Sequence, residues 1–364
     1  MSDLASILRQ EMNGPGILSF HRFMELALYC PVFGYYERNE GNVGSRGDFV
    51  TSVSHGSLYG RFLASQFIDW CADFSGSVQW VEAGAHDGSL AADILSEAQR
   101  TSPAMFDRLE YVILEPSERR RTWQASKLHR FSPKVRWLQS PLELQPEAIK
   151  GIIFSNELLD AFPVHRLHWD ADRKRWLEWG VVCSGERFDW QLMPGDIMDW
   201  SQSLREAGFD IPSELAAVLP DGFILELSPE AGCWWHEAGR SLKQGRLLTI
   251  DYGYEAAEFL TPARRAGTLR TYRRHTVGTD LLAMPGGQDL TAHVNFTQLI
   301  RAGEAAGLQT EPLVSQAEFL AASSRRMWTE ASPPSPAEVR QFHSLTHPEH
   351  MSRAFRVLVQ SRHA

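Results

Sequence analysis

The chain has 364 residues, 43% of them hydrophobic and 22% charged, proportions that exclude a disordered or fibrous protein and allow a substantial core. A formal charge of −9 sets up a field that repels a phosphate backbone, so no nucleic acid is expected as a partner. Four widely spaced cysteines, Cys30, Cys71, Cys183 and Cys233, form no C-x-x-C pair; the expectation is reduced thiols in a cytoplasmic protein, with no zinc site and no disulfide framework.

The opening MSDLASILRQEMNG carries acids and lacks an apolar signal core, and no stretch approaches the roughly 20 apolar residues that span a bilayer. Residues 3–12 and 19–30 read as short amphipathic helices, the second with Phe20, Phe23, Met24, Ala27 and Leu28 at spacings of three and four and Ser19 as N-cap. The stretch GYYERNEGNVGSRGDFVTS holds too many glycines for a regular element and reads as a loop. Helical periodicity returns over 57–74.

From residue 77 short apolar runs alternate with helical segments, the pattern of a mostly parallel sheet covered on both faces. Strands are predicted at SVQWVEAG (77–84), LEYVILEP (109–116), VRWLQS (135–140) and GIIFSNE (151–157). Residues 164–193 carry three alternating runs separated by polar turns, which predicts an antiparallel β insertion. Helical segments are expected over 196–219 and near 229–243, with FILELSP leading into the latter. GRLLTIDYGY is another strand, 295–306 a helix, and LQTEPLV and FRVLVQS further strands, the last an antiparallel closing strand.

The residues that carry chemistry cluster where those strands end. In V-E-A-G-A-H-D-G-S-L (81–90) a strand gives way to a helix, the ligand-binding end of an open α/β sheet. Gly84 and Gly88 allow a tight turn, and Glu82 can reach an ammonium group; an ordinary tight turn is the competing reading. The G-x-G-x-x-G pattern of dinucleotide sites fails here, because its equivalent positions are Gly84, His86 and Ser89. Glu115, in L-E-P-S, ends the second strand, where a carboxylate can accept both hydroxyl hydrogens of a ribose; a solvated acid is the alternative. The fourth strand runs into S-N-E-L-L-D-A-F-P-V, clustering Asn156, Glu157 and Asp160, which read either as a polar site or as helix-start acids.

Taken in order along the chain, G-Y-Y (34–36), G-D-F-V-T-S (47–52), E-x-G (82–84) with Gly88, L-E-P-S (114–117), N-E-L-L-D-A-F-P-V (156–164), L-E-L-S-P (225–229), I-D-Y-G-Y (250–254) and Q-D-L-T-A-H-V (288–294) resemble the MidA family. That family includes a mitochondrial complex I assembly factor that methylates arginine. The resemblance implies a seven-stranded, Rossmann-like class I methyltransferase sheet with S-adenosyl-L-methionine as cofactor. The expected organisation is an N-terminal helical extension and lid loop (1–75), a first half of the core (76–163), a β and helical insertion (164–221) and a second half of the core (222–364).

The resemblance further implies that Asp48, Phe49 and Thr51 form a lid over the cofactor, bound beside Glu82, Gly84, His86, Gly88, Glu115 and Asn156. Asn156, Glu157 and Asp160 become the catalytic group, and the partner a protein substrate with a target arginine; a homodimer is compatible with all of this. His86 departs from the family pattern, which has glycine there, and its bulk is expected to narrow the methionine subsite. A scaffold protein that has lost turnover and a small-molecule methyltransferase are the competing functions.

Blander readings apply elsewhere. His165 and His168 lie three apart in a strand and so face opposite ways, which predicts no shared metal. Trp169, Trp176, Trp179 and Trp190 are expected to cover the β insertion, and the R-T-Y-R-R-H run (270–275) to be a solvated face near the substrate mouth.

Overall fold

The computed structural model describes residues 3–38, 51–194, 198–347 and 355–363. Its centre is a mixed sheet of nine strands whose main path runs, in space, Gln309–Thr310, Phe355–Arg362, Leu242–Tyr254, Ile149–Asn156, Val78–Ala83, Leu109–Leu114 and Val135–Leu138. The five strands from Val135–Leu138 to Leu242–Tyr254 are mutually parallel, whereas Phe355–Arg362 pairs antiparallel beside Leu242–Tyr254.

Apolar residues alternate strictly across this sheet because successive side chains point to opposite faces. Trp80, Tyr111, Ile152, Phe154, Leu248, Ile250 and Val357 share one core with Phe62, Phe67, Leu90 and Ile94 of helices Leu58–Trp70 and Ser89–Thr101. Their neighbours Val81, Val112, Leu114, Ile153, Leu247 and Leu358 pack on the other face against Trp235, Phe296 and Leu299 of helices Pro229–Ser241 and Phe296–Ala305. Both faces being dry explains why the strands read as near-continuous apolar runs.

The insertion is a five-stranded antiparallel sheet of Leu18–Ser19, Arg175–Ser184, His165–Asp170, Ile224–Leu227 and Arg187–Leu192. Trp169 and Trp176 cover it as expected, in a cluster with Trp200, Phe209 and Phe223. The N-terminal helices Leu4–Met12 and Phe20–Tyr29 close over its edge through Leu8, Phe20, Phe23 and Val181. Ser19 caps the second of them, accepting from the Arg22 amide at 3.2 Å.

Two expectations need correction. Residues 270–275 are no simple solvated face: Arg270–Arg273 is the middle strand of a three-stranded sheet, with Thr271 buried, and Arg274 and His275 turn the chain at positive φ. The helical segments expected over 196–219 are, among the described residues, two short helices, Ser201–Glu206 and Ser213–Val218, separated at Gly208, which has φ +88. LQTEPLV forms only two-residue pairings at Gln309–Thr310 and Val314–Ser315, because Pro312 lacks the amide a continuous ladder requires.

Candidate functional site

The sheet's C-terminal edge gathers the predicted residues. After strand Val78–Ala83 the backbone turns through left-handed conformations at Gly84 (φ +74), His86 (φ +46) and Gly88 (φ +83) before helix Ser89–Thr101 begins. A β-carbon at Gly84 would also lie 2.8 Å from Leu158 Cδ1, the tip of a side chain that can move aside. The turn is tied to the next helix by Gln124, whose Nε2 donates to the His86 carbonyl at 3.0 Å. The His86 side chain is partly exposed, with Nδ1 3.9 Å from the Asp87 carboxylate.

Glu115 follows strand Leu109–Leu114 and is buried beside that turn. Its Oε1 accepts from the Ser117 amide at 3.0 Å and its Oε2 from Gln124 Nε2 at 3.1 Å, with Arg120 Nη1 3.8 Å away. Each carboxylate oxygen carries two lone pairs, so one on each remains for a diol. Burial pushes the Glu115 carboxyl upward while Arg120 and these hydrogen bonds draw it down. Glu82 is buried deeper; the Tyr111 hydroxyl donates to its Oε2 at 2.7 Å, and loss of solvent pushes the carboxyl up to about 8.

A second cluster lies past strand Ile149–Asn156. Asn156 accepts from the buried Tyr59 hydroxyl and donates through Nδ2 to Glu157 Oε1 at 3.2 Å. Glu157, at φ +50, also receives the Ser52 amide on Oε1 at 3.1 Å. Burial pushes the Glu157 carboxyl up to about 8, and burial pushes Asp160 up to about 6 despite a hydrogen bond from Tyr252.

Beneath them Asp251, fully buried at the end of strand Leu242–Tyr254, accepts on Oδ2 from three consecutive amides, Leu158 at 3.2 Å, Leu159 at 2.9 Å and Asp160 at 3.4 Å. Its own carboxyl is held well above the usual range, first by burial and then by repulsion from Asp160. Burial and repulsion between the two acids make it costly for both to ionise together. Among the described residues none of Glu157, Asp160 and Asp251 forms an ion pair with a basic side chain.

The predicted residues thus fall into two adjoining groups: Glu82, Gly84, His86, Gly88 and Glu115 at the first, Asn156, Glu157 and Asp160 at the second. Leu158, packed against Gly84, joins them. Asp48 and Phe49 lie outside the described residues. Thr51 is buried as the N-cap of the turn Ser52–His55, its Oγ1 2.9 Å from Ser54 Oγ. Sequence reasoning missed Tyr59, Gln124, Asp251 and Tyr252. The last two sit inside I-D-Y-G-Y, a motif quoted above only as a landmark; Gln124 gave no signal beyond being a polar residue in a helix.

A positive-φ glycine turn after the first strand, an acid after the second, and an antiparallel strand beside the fifth define the class of S-adenosylmethionine-dependent methyltransferases. The positive-φ turn and the free lone pairs of Glu115 form a cradle whose chemistry suits the ribose of an adenosyl group.

Known proteins agree. Residues 62–314 match the family described as "Putative S-adenosyl-L-methionine-dependent methyltransferase". A crystal structure from Burkholderia thailandensis bound to S-adenosyl-homocysteine superposes with a TM-score of 0.82 at 29% identity, covering 99% of this chain and 92% of that one. The mitochondrial protein arginine methyltransferase NDUFAF7 of Mus musculus is 27% identical, spanning 86% of this chain and 72% of its own, and that of Homo sapiens is 26% identical, spanning 81% and 67%. The chain belongs to this family of methyltransferases, with S-adenosyl-L-methionine as its cofactor.

Proposed function

We propose that the chain methylates an arginine side chain of a protein substrate. The observation that carries this reading is the group of buried carboxylates, Glu157, Asp160 and Asp251, beside the cofactor turn without a basic partner among the described residues. Lost solvation raises the carboxyl of a buried acid that has no cation beside it. An arriving guanidinium would supply the missing charge and a planar fork that a carboxylate grips with two hydrogen bonds. The naming of the mitochondrial relatives as protein arginine methyltransferases supports the same substrate class.

The cofactor supplies an electrophilic methyl group when bound. The chain's task is then to align a nitrogen with it and accept a proton. Orientation falls to Asp160 and Glu157, which Asp251 fixes in place through the backbone of residues 158–160. Glu157 Oε1 is occupied by Ser52 and Asn156; guanidinium binding releases the Glu157 carboxyl proton to solvent, and Oε2 then takes the proton that leaves the attacking nitrogen. A guanidinium stays protonated in water, its pKa lying above about 12, so alignment and local charge supply most of the rate.

Glu157→Gln and Asp160→Asn test this reading. Each should keep cofactor affinity within about twofold, since neither lies in the Glu115 cradle, and lower methyl transfer by 10²-fold or more, the usual scale for a positioned proton acceptor. Unchanged turnover in both variants on an identified substrate would return these acids to a purely structural role.

A further inference from the structure

The predicted absence of a metal rested on the cysteine spacing and on His165 and His168 facing opposite ways; His168 packs edge-on to Trp179, with ring centroids 5.5 Å apart. The fold, however, brings a different histidine to His165. His21, from helix Phe20–Tyr29, lies with its ring 4.5 Å from that of His165 at the start of strand His165–Asp170. Glu230, in the first turn of helix Pro229–Ser241, completes the group. One ring nitrogen of each histidine and a Glu230 oxygen lie within 4.8 Å of one another. We propose that His21, His165 and Glu230 form a site for a divalent transition-metal ion of the zinc type.

Four features support it. His21 Nε2 is buried and lies 3.0 Å from Glu230 Oε1, so a ring nitrogen and a carboxylate oxygen already share one small space. His165 Nδ1 is engaged by Glu178 Oε1 at 2.7 Å. A carboxylate behind an imidazole is the usual orienting partner of a metal-bound histidine, and it leaves Nε2 as the nitrogen with a lone pair to give. Two imidazoles and one carboxylate form a borderline donor set that suits zinc and its neighbours and does not suit magnesium or calcium, which take oxygen ligands. Bonds of about 2.0–2.2 Å place tetrahedral ligands roughly 3.3 Å apart. The His21 and His165 rings are stacked at an interplanar angle of 15°, so binding an ion requires the His21 ring to turn about its outer torsion, a broad one in histidine.

The three ligands belong to the N-terminal helices, the β insertion and the core. An ion held by them staples these parts together beside the segment that carries Asn156, Glu157 and Asp160, and water fills the remaining coordination position. Metal-free full-length protein, prepared with a chelator, is equilibrated with Zn²⁺, desalted and analysed for bound metal. We expect one zinc per chain in the wild type and in Cys233→Ser, less than a tenth of that in His21→Ala and Glu230→Gln, and a zinc-dependent rise in Tm that both of these variants lose. Co²⁺ in place of zinc should give the visible bands of a four-coordinate nitrogen and oxygen site without a thiolate charge-transfer band, a readout that needs no variant. No retained zinc, equal retention in His21→Ala and Glu230→Gln, or a thiolate band would each overturn the proposal.

Discussion

At residue scale, His86 is the position where this chain most plainly departs from its expected motif. Its φ of +46 is a left-handed conformation that costs a residue with a β-carbon about 1–2 kcal/mol. Glycine would remove that strain but lose about 0.5–1 kcal/mol to the greater freedom of the unfolded chain. His86→Gly should therefore stabilise the fold by up to about 1.5 kcal/mol, read as a higher denaturant midpoint. Calorimetry of the same variant decides whether the side chain narrows the methionine subsite: tighter cofactor binding means that it does, and unchanged binding means that the ring lies outside.

Glu115 gives a sharper expectation. Removing an acid that accepts from a diol costs roughly 1.5–3 kcal/mol, so Glu115→Ala should weaken cofactor binding about 10- to 100-fold in the same calorimeter. Glu157 makes a prediction about pH. Its folded carboxyl titrates near 8, whereas the unfolded one titrates near roughly 4.3, so between those values the folded chain keeps a proton the unfolded chain has released. Stability from this group is complete below about pH 4 and is lost as pH rises through 8. Glu157→Gln can still accept from the Ser52 amide, so its stability should fall less from about pH 5 to 8 than that of the wild type. A steeper fall in urea titrations would show that burial does not control this carboxyl.

At the scale of elements, the parallel strands were legible because each is an unbroken apolar run ending in a turn signal, and Val78–Ala83 and Leu109–Leu114 lie within two residues of their predicted limits. Short polar-turn spacing likewise exposed the insertion strands. What escaped was whatever depends on pairing across long stretches of chain. Ile224–Leu227 looks like a prelude to a helix, yet it pairs with His165–Asp170 in the insertion sheet. Helices Gln316–Met327 and Pro336–Thr346, not anticipated, have moderate periodicity but carry clear capping boxes at Ser315 with Glu318 and at Ser335 with Glu338. The cap at Ser19 is testable by itself: Ser19→Ala should cost about 1 kcal/mol in chemical unfolding, with methyl transfer unaffected.

The site shows the same division. Glu115 and Glu157 could be picked out because an acid directly after a strand is conspicuous. Asp251 could not, because its work is to accept amides from residues more than ninety positions earlier. Tyr59 was hidden too, since a tyrosine on the apolar face of a helix reads as core until its hydroxyl is found against Asn156.

At the scale of the whole molecule, the sheet brings a cofactor cradle and a group of buried acids to one edge, and the central claim is that they act together on arginine. The most direct test incubates the purified chain and methyl-labelled S-adenosyl-L-methionine with a lysate of its host, then hydrolyses the labelled protein and separates the methylated amino acids. The account predicts label in methylarginine, present with the wild type and lost with Glu157→Gln. Label in methyllysine or in a small molecule, or no transfer from a chain that binds the cofactor, would contradict it.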